Sequence, residues 1–249
     1  MKKKRLLLGT VILMMVGLVG CHIEVTNGTS LGGLTSVTGT SDVVARDFEV
    51  DDFTAIDISG NYEVIWNRAS DFSVTVHMQE NLFEYLEVGV RGNTLQIRST
   101  RSFNTTHANR PRIYIDAPEL DAVSFSGAIA VRNWDSISGE SFSLESAGAV
   151  NITLDMQVES FELSVSGAGD LTLSGNADVT DITIAGASTI SASDLQTRET
   201  NISLAGAGNV DIAVTDELSV HLTGAGRINY IGEPNINSTI LGPGSVRQQ

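Results

Sequence analysis

Between Ser126 and Val246 a short glycine-containing corner recurs seven times, and such a recurrence limits the possible folds more than any single motif does. The copies read Ser126-Gly127-Ala128-Ile129-Ala130-Val131, Ser146-Ala147-Gly148-Ala149-Val150, Ser166-Gly167-Ala168-Gly169-Asp170-Leu171, Ala185-Gly186-Ala187-Ser188-Thr189-Ile190, Ala205-Gly206-Ala207-Gly208-Asn209-Val210, Thr223-Gly224-Ala225-Gly226-Arg227-Ile228 and Leu241-Gly242-Pro243-Gly244-Ser245-Val246. Counted from the apolar residue that closes each copy, the spacings are 19, 21, 19, 20, 18 and 18 residues. A period of that size belongs to chains in which each repeat packs on its neighbours and adds to one continuous core.

The residues around each corner alternate with period two. Phe161, Leu163, Val165, Leu171 and Leu173 fall on one face of a strand–corner–strand unit, and Ile182, Ile184, Ile202, Leu204, Val210, Ile212 and Val214 repeat that face in later copies. The expected fold is all-β: a single-stranded parallel β-helix with about seven C-terminal coils of 18 to 21 residues. Right-handed crossovers dominate parallel β connections, so a right-handed coil is expected. Coils about 4.8 Å apart would give a rise of roughly 30 Å over the repeats. Gly and Ala suit the corner because the chain must bend sharply where neighbouring coils approach closely. Copies two and four, which depart from the Ser-Gly-Ala-Gly pattern, are expected to bend differently. Pro243 and the tail Arg247-Gln248-Gln249 are expected to blunt the last edge. An antiparallel sandwich also gives short alternating strands, but its turns usually vary, whereas here one corner returns.

Ahead of the repeats, Phe53–Trp66, Phe72–Met78 and Leu95–Arg98 alternate as strands. Asn81-Leu82-Phe83-Glu84 has capping-box spacing and predicts one short helical turn, and Arg91-Gly92-Asn93 predicts a tight turn. Ile56–Val64 reads as an early, diverged copy of the later repeat. Residues 47–249 are therefore read as one β-helical domain.

The first 21 residues read as an export signal, with Lys2, Lys3, Lys4 and Arg5 ahead of an apolar run from Leu6 to Val19. That run is short for a membrane span. Leu18-Val19-Gly20-Cys21 resembles the bacterial lipobox, which implies cleavage before Cys21 and lipidation of that cysteine. A plain secretory peptide is the competing reading. His22 in place of Asp after the cysteine would permit outer-membrane sorting. Residues 22–46, rich in Gly, Ser and Thr, are expected to form a flexible tether of about 25 to 30 Å.

Without the leader the chain has 30 Asp and Glu against 11 Arg, a formal charge near −19, and no lysine. Such a chain repels phosphate backbones and anionic headgroups, so nucleic acid is not an expected partner and the lipid on Cys21 is the expected tie to the membrane. No second cysteine exists for an intramolecular disulfide.

Phe53–Trp66, then Pro111-Arg112-Ile113-Tyr114-Ile115-Asp116-Ala117-Pro118-Glu119-Leu120, followed by serial Ser-Gly-Ala-Gly corners, resemble the bacterial family called the "putative auto-transporter adhesin head GIN domain", over about residues 47–246. The resemblance implies a single-stranded right-handed β-helix on an exported, often lipid-anchored protein. It supplies no catalytic residues.

No enzyme or cofactor is expected. His22, His77, His107 and His221 lack metal-site spacing, and no phosphate-loop lysine accompanies the glycines. Asp155, Glu159, Asp178, Asp181, Asp194 and Asp211 are dispersed rather than paired, as the acids of a polysaccharide-active β-helix enzyme would be. The ligand-binding candidates are Arg98, Arg101, Arg110 and Arg112, which flank a loop carrying Phe103 and His107 and would suit an acidic glycan or a partner's carboxylates. The expected function is a lipid-anchored binding module of the bacterial envelope, an adhesin for a glycan or a protein surface. A periplasm-facing scaffold and a polysaccharide-active β-helix enzyme are the alternatives.

Overall fold

Alternating apolar and polar residues can bury one face only if neighbouring strands hold a fixed register, and the structure shows how that register is set. The structure, a computed structural model, describes residues 36–249; the leader, Cys21 and residues 22–35 of the expected tether lie outside the described residues. The strands are β1 (Val37–Thr38), β2 (Val43–Phe48), β3 (Ala55–Arg68), β4 (Ser73–Gln79), β5 (Leu86–Arg91), β6 (Thr94–Ser99), β7 (Phe103–Asn104), β8 (Arg112–Ala117), β9 (Ala122–Val131), β10 (Ile137–Gly206), β11 (Asn209–Gly224), β12 (Arg227–Ile231), β13 (Asn235–Leu241) and β14 (Ser245–Gln248). The fold is all-β.

From β9 onward the chain pairs in parallel with the repeat before it. Gly148 lies beside Gly127, Gly224 beside Gly206, Ile228 beside Val210 and Val246 beside Ile228. The register is held on the first glycine of each corner. Gly127, Gly148, Gly167, Gly186, Gly206, Gly224 and Gly242 all have positive φ, between 108° and 141°. A Cβ on any of them would overlap the carbonyl oxygen of the glycine one repeat earlier, in a column that begins at Gly60. Copies two and four therefore do not bend differently: Gly148, at φ 131°, and Gly186, at φ 141°, keep the common conformation. Alignment on glycine also makes Ile152, which pairs with Val131, the closing residue of copy two in place of Val150. The last copy follows the same rule, with Gly242 at φ 132° and Pro243 outside β13 and β14. β13 itself exposes Ile236, Ile240 and Leu241.

The inward face is the one the alternation predicts. Phe161, Leu163, Val165, Leu171, Leu173, Ile182, Ile184, Ile202 and Leu204 are all buried. Phe142 and Phe161, in successive repeats, stack with ring centroids 6.0 Å apart and planes 5° apart.

The N-terminal half departs from a uniform parallel repeat, and the sheet is mixed. β2 pairs antiparallel with β4, β4 with β8, and β5 with β6 around the turn at Gly92. β3 lies between β8 and β9, parallel to both, although β8 leads directly to β9 in the chain. Ile56–Val64 thus stacks under Val123–Val131 as an early copy, but the residues between the two copies turn back to cover its other side. Paired structure also starts ahead of Asp47. β1 pairs with β7, and β2 joins the sheet edge.

A short 3-10 helix, Glu80–Tyr85, occupies the predicted helical turn, but no capping box forms. Its N-cap is Gln79 and makes no side-chain capping bond. Asn81 lies inside the helix, so its carboxamide turns outward, accepting from Thr40 N and Ser41 Oγ at 3.1 and 3.0 Å and donating to Thr38 O at 3.0 Å.

Two measurements check this description. Gly167→Ala, which needs both a strained φ and displacement of Gly148, is expected to cost at least about 2 kcal/mol in denaturant unfolding. Gly139→Ala, with open space around its added Cβ, is expected to be near neutral. The second test concerns Tyr62, whose ring is buried and whose pKa burial pushes up to about 12. Its folded value lies above the unfolded one, so its contribution is complete below about pH 10 and is lost as pH rises towards 12. Tyr62→Phe is expected to remove that share of the alkaline loss in a stability–pH series.

Candidate functional site

Outward positions of β3, β8 and β9 converge because those strands are adjacent in register. Glu63 on β3 faces Arg112 on β8 and Ala130 on β9, and Arg132 follows one residue beyond β9. Arg112 Nε lies 3.2 Å from Glu63 Oε2, and Arg132 Nε lies 4.0 Å from Glu63 Oε1. Arg110 approaches from the segment before β8, and its Nη2 donates to Ala128 O at 2.6 Å. Its Nε is buried without an acceptor among the described residues.

Burial lowers the Arg110 pKa from its ordinary value, and the charge of Arg132 adds to the effect while Glu63 opposes it. The hydrogen bond to Glu63 raises that of Arg112. Two guanidinium groups thus pair with one carboxylate, and the third, that of Arg110, feels its charge without bonding to it, within a strongly acidic chain. A depression of about 310 Å³ beside them is lined by Asn61, Thr105, Thr106, Arg110 and Ala128. A second, of about 510 Å³, is lined by Glu63, Val131, Arg132, Asn133, Asn151 and Thr153.

Of the candidates named from the sequence, the structure brings Arg110 and Arg112 together and places the others elsewhere. Arg98, which faces Ser59 on β3, pairs diagonally with Asp57 at 3.0 Å. Arg101 lies over the ring of Tyr85, 5.4 Å from its centroid. Phe103 belongs to β7 and packs against the core. The side chain of His107 lies outside the description. Arg132 and Glu63 were not singled out from the sequence. Laying Ile56–Val64 over Val123–Val131 would have found them, because that alignment puts Glu63 beside Ala130.

Elsewhere on the outer surface, polar side chains pair across successive repeats. In a groove of about 420 Å³ along successive repeats, Asn201 donates to Asp181 at 2.8 Å beside Ser203, His221 and Thr239. Among the described residues no three His, Cys, Asp or Glu side chains gather as a metal site would require. No helix among them is long and apolar enough to cross a membrane.

The family described as "putative auto-transporter adhesin, head GIN domain" matches residues 52–234. The chain belongs to this family. Three crystal structures are similar to this head GIN domain. One, of a putative adhesin from Bacteroides fragilis, gives a TM-score of 0.79 at 21% identity, covering 86% of this chain and 100% of that chain. Another, of a putative adhesin from Parabacteroides distasonis, gives 0.69 at 20% identity, with 86% and 100% covered. The third, of a putative lipid binding protein from the same species, gives 0.64 at 22% identity, with the same coverage. These likenesses establish the fold that the head GIN domain shares with them. No curated protein matches the chain. The family's description is that of a putative adhesin, and membership points to the cell surface or envelope.

Two arginines of the cluster are accessible, with the Arg112 and Arg132 side chains 51% and 65% exposed. Ion pairs of this kind contribute less than about 1 kcal/mol. Glu63→Gln, Arg112→Gln and Arg132→Gln are therefore expected to fold and to melt within a few degrees of the parent in thermal unfolding.

Proposed function

We propose that this head GIN domain is a lipid-anchored adhesin of the bacterial envelope that binds a glycan or a protein surface. The observation that carries this reading is the arginine cluster around Glu63, an accessible cationic spot on the outer face of a stiff, otherwise acidic stack. Membership of an adhesin family supports it. Surfaces built from repeats suit recognition, because they offer long faces of fixed geometry.

We further infer that the stacked repeats form a single-stranded right-handed parallel β-helix, with β2, β4 and β5 as an antiparallel cover at one end. The parallel registers one repeat apart support this reading, as does the bias of parallel crossovers towards the right hand. Cys21 is the proposed lipid attachment point, with residues after it as a tether and the outer membrane as the destination. No catalytic step is proposed.

The test has two arms. Antibody against residues 47–249 is expected to stain intact cells, and Cys21→Ser is expected to move the protein from the membrane fraction to the soluble one. Staining only after permeabilisation would overturn the adhesin reading in favour of a periplasmic scaffold.

A further inference from the structure

The cluster carries a more specific inference, which rests on the binding-module reading above. Three arginines with one carboxylate leave a local excess of two positive charges in a chain whose net charge is strongly negative. Arg110 is partly desolvated, with its Nε enclosed and without an acceptor and its Nη2 bonded to a backbone carbonyl, so among the described residues no carboxylate neutralises this guanidinium directly. Buried donors without acceptors are uncommon and costly. Structure alone does not require three arginines here, since one would pair with Glu63.

The surroundings distinguish the class of ligand. Asn61, Thr105 and Thr106 line one side, and Asn133, Asn151 and Thr153 the other. These amides and hydroxyls are the groups that meet sugar hydroxyls. Protein hot spots instead set arginine beside large aromatic anchors in dry pockets, and no aromatic residue lines either depression. The acidic remainder of the surface repels a dense polyanion, so charge on the ligand has to be sparse.

We propose that Arg110, Arg112 and Arg132 form a subsite for a single carboxylate or sulfate group on an acidic glycan, with the Asn and Thr residues on either side taking the neighbouring sugar hydroxyls. Glu63 holds the Arg112 and Arg132 guanidinium groups, and Ala128 O that of Arg110, when the subsite is empty, and Glu63 competes with the ligand's anion. Guanidinium is suited to this role because its fixed fork of donors matches both oxyanions.

The experiment is calorimetric titration of the full folded chain, carrying Cys21→Ser, with three probes: 3′-sialyllactose for the carboxylate, N-acetylglucosamine 6-sulfate for the sulfate, and neutral lactose. At least one acidic probe is expected to bind more tightly than lactose and to weaken as salt rises. Arg110→Gln and Arg132→Gln are each expected to weaken it about tenfold. Glu63→Gln is expected to tighten it about three- to tenfold, because the competing charge is gone. Arg227→Gln, an exposed arginine on β12, is expected to leave it unchanged. A purely structural role for the cluster predicts that Glu63→Gln weakens binding or leaves it unchanged, and that result overturns the subsite. So does the absence of binding by both acidic probes, or equal binding of lactose. Staining of intact cells without acidic-probe binding would discard the subsite and keep the surface reading. Acidic-probe binding with staining only of permeabilised cells would do the reverse.

Discussion

The close approach of one glycine to the carbonyl of the next is the constraint on which the rest of this structure depends. Eight glycines from Gly60 to Gly242 form a single column, all at positive φ, and from Gly127 onward none has room for a Cβ above its predecessor. A glycine at such a site costs chain entropy. Here it fixes where each repeat begins, and once that point is fixed every residue after it has a determined side. Slipping by one residue would carry the whole apolar set of a repeat to the solvent face. The inward column from Phe142 and Phe161 through Ile182 to Leu204 is therefore a consequence of the corner as much as of the alternation.

The same register builds the surface. Side chains at equivalent outward positions meet their counterparts one repeat away, as Asn201 meets Asp181, Asn229 meets Asp211 and Ser174 meets Asp155. A neutral amide or hydroxyl set against each of these carboxylates separates acids that would otherwise repel along the stack. At β3, β8 and β9 the arrangement reverses, because cations outnumber the carboxylate they face. That reversal is a local event on a scaffold whose backbone does not change, which is how repeat architectures acquire sites.

Much of the repeat region was legible in the sequence, because its determinants are local: a glycine, an alternation and a constant interval. The buried set Phe161, Leu163, Val165, Leu171 and Leu173 followed from period two alone. Alignment failed by two residues at copy two, where Ser146 drew attention away from Gly148, since serine marks the corner in composition while glycine determines it sterically. The placement of β3 between β8 and β9 was not legible, because no local signal records a pairing across so long an insertion. Asn81 misled for a related reason. Its spacing to Glu84 fits a capping box, yet its carboxamide binds Thr38, Thr40 and Ser41, which the chain supplies from far upstream. The site divided along the same line: Arg110 and Arg112 are close in sequence and were named, whereas Arg132 and Glu63 join them only through the register.

That register is most directly tested by disulfide trapping in a chain carrying Cys21→Ser. Asp181→Cys with Asn201→Cys places thiols on hydrogen-bonded neighbours one repeat apart, within reach of a disulfide. Asp181→Cys with Ser219→Cys places them two repeats apart, about 9.6 Å by strand spacing and beyond that reach. The account predicts that the first pair oxidises readily to an intramolecular disulfide and the second does not. Cross-linking of the second pair, or of neither, would contradict the glycine-set parallel register.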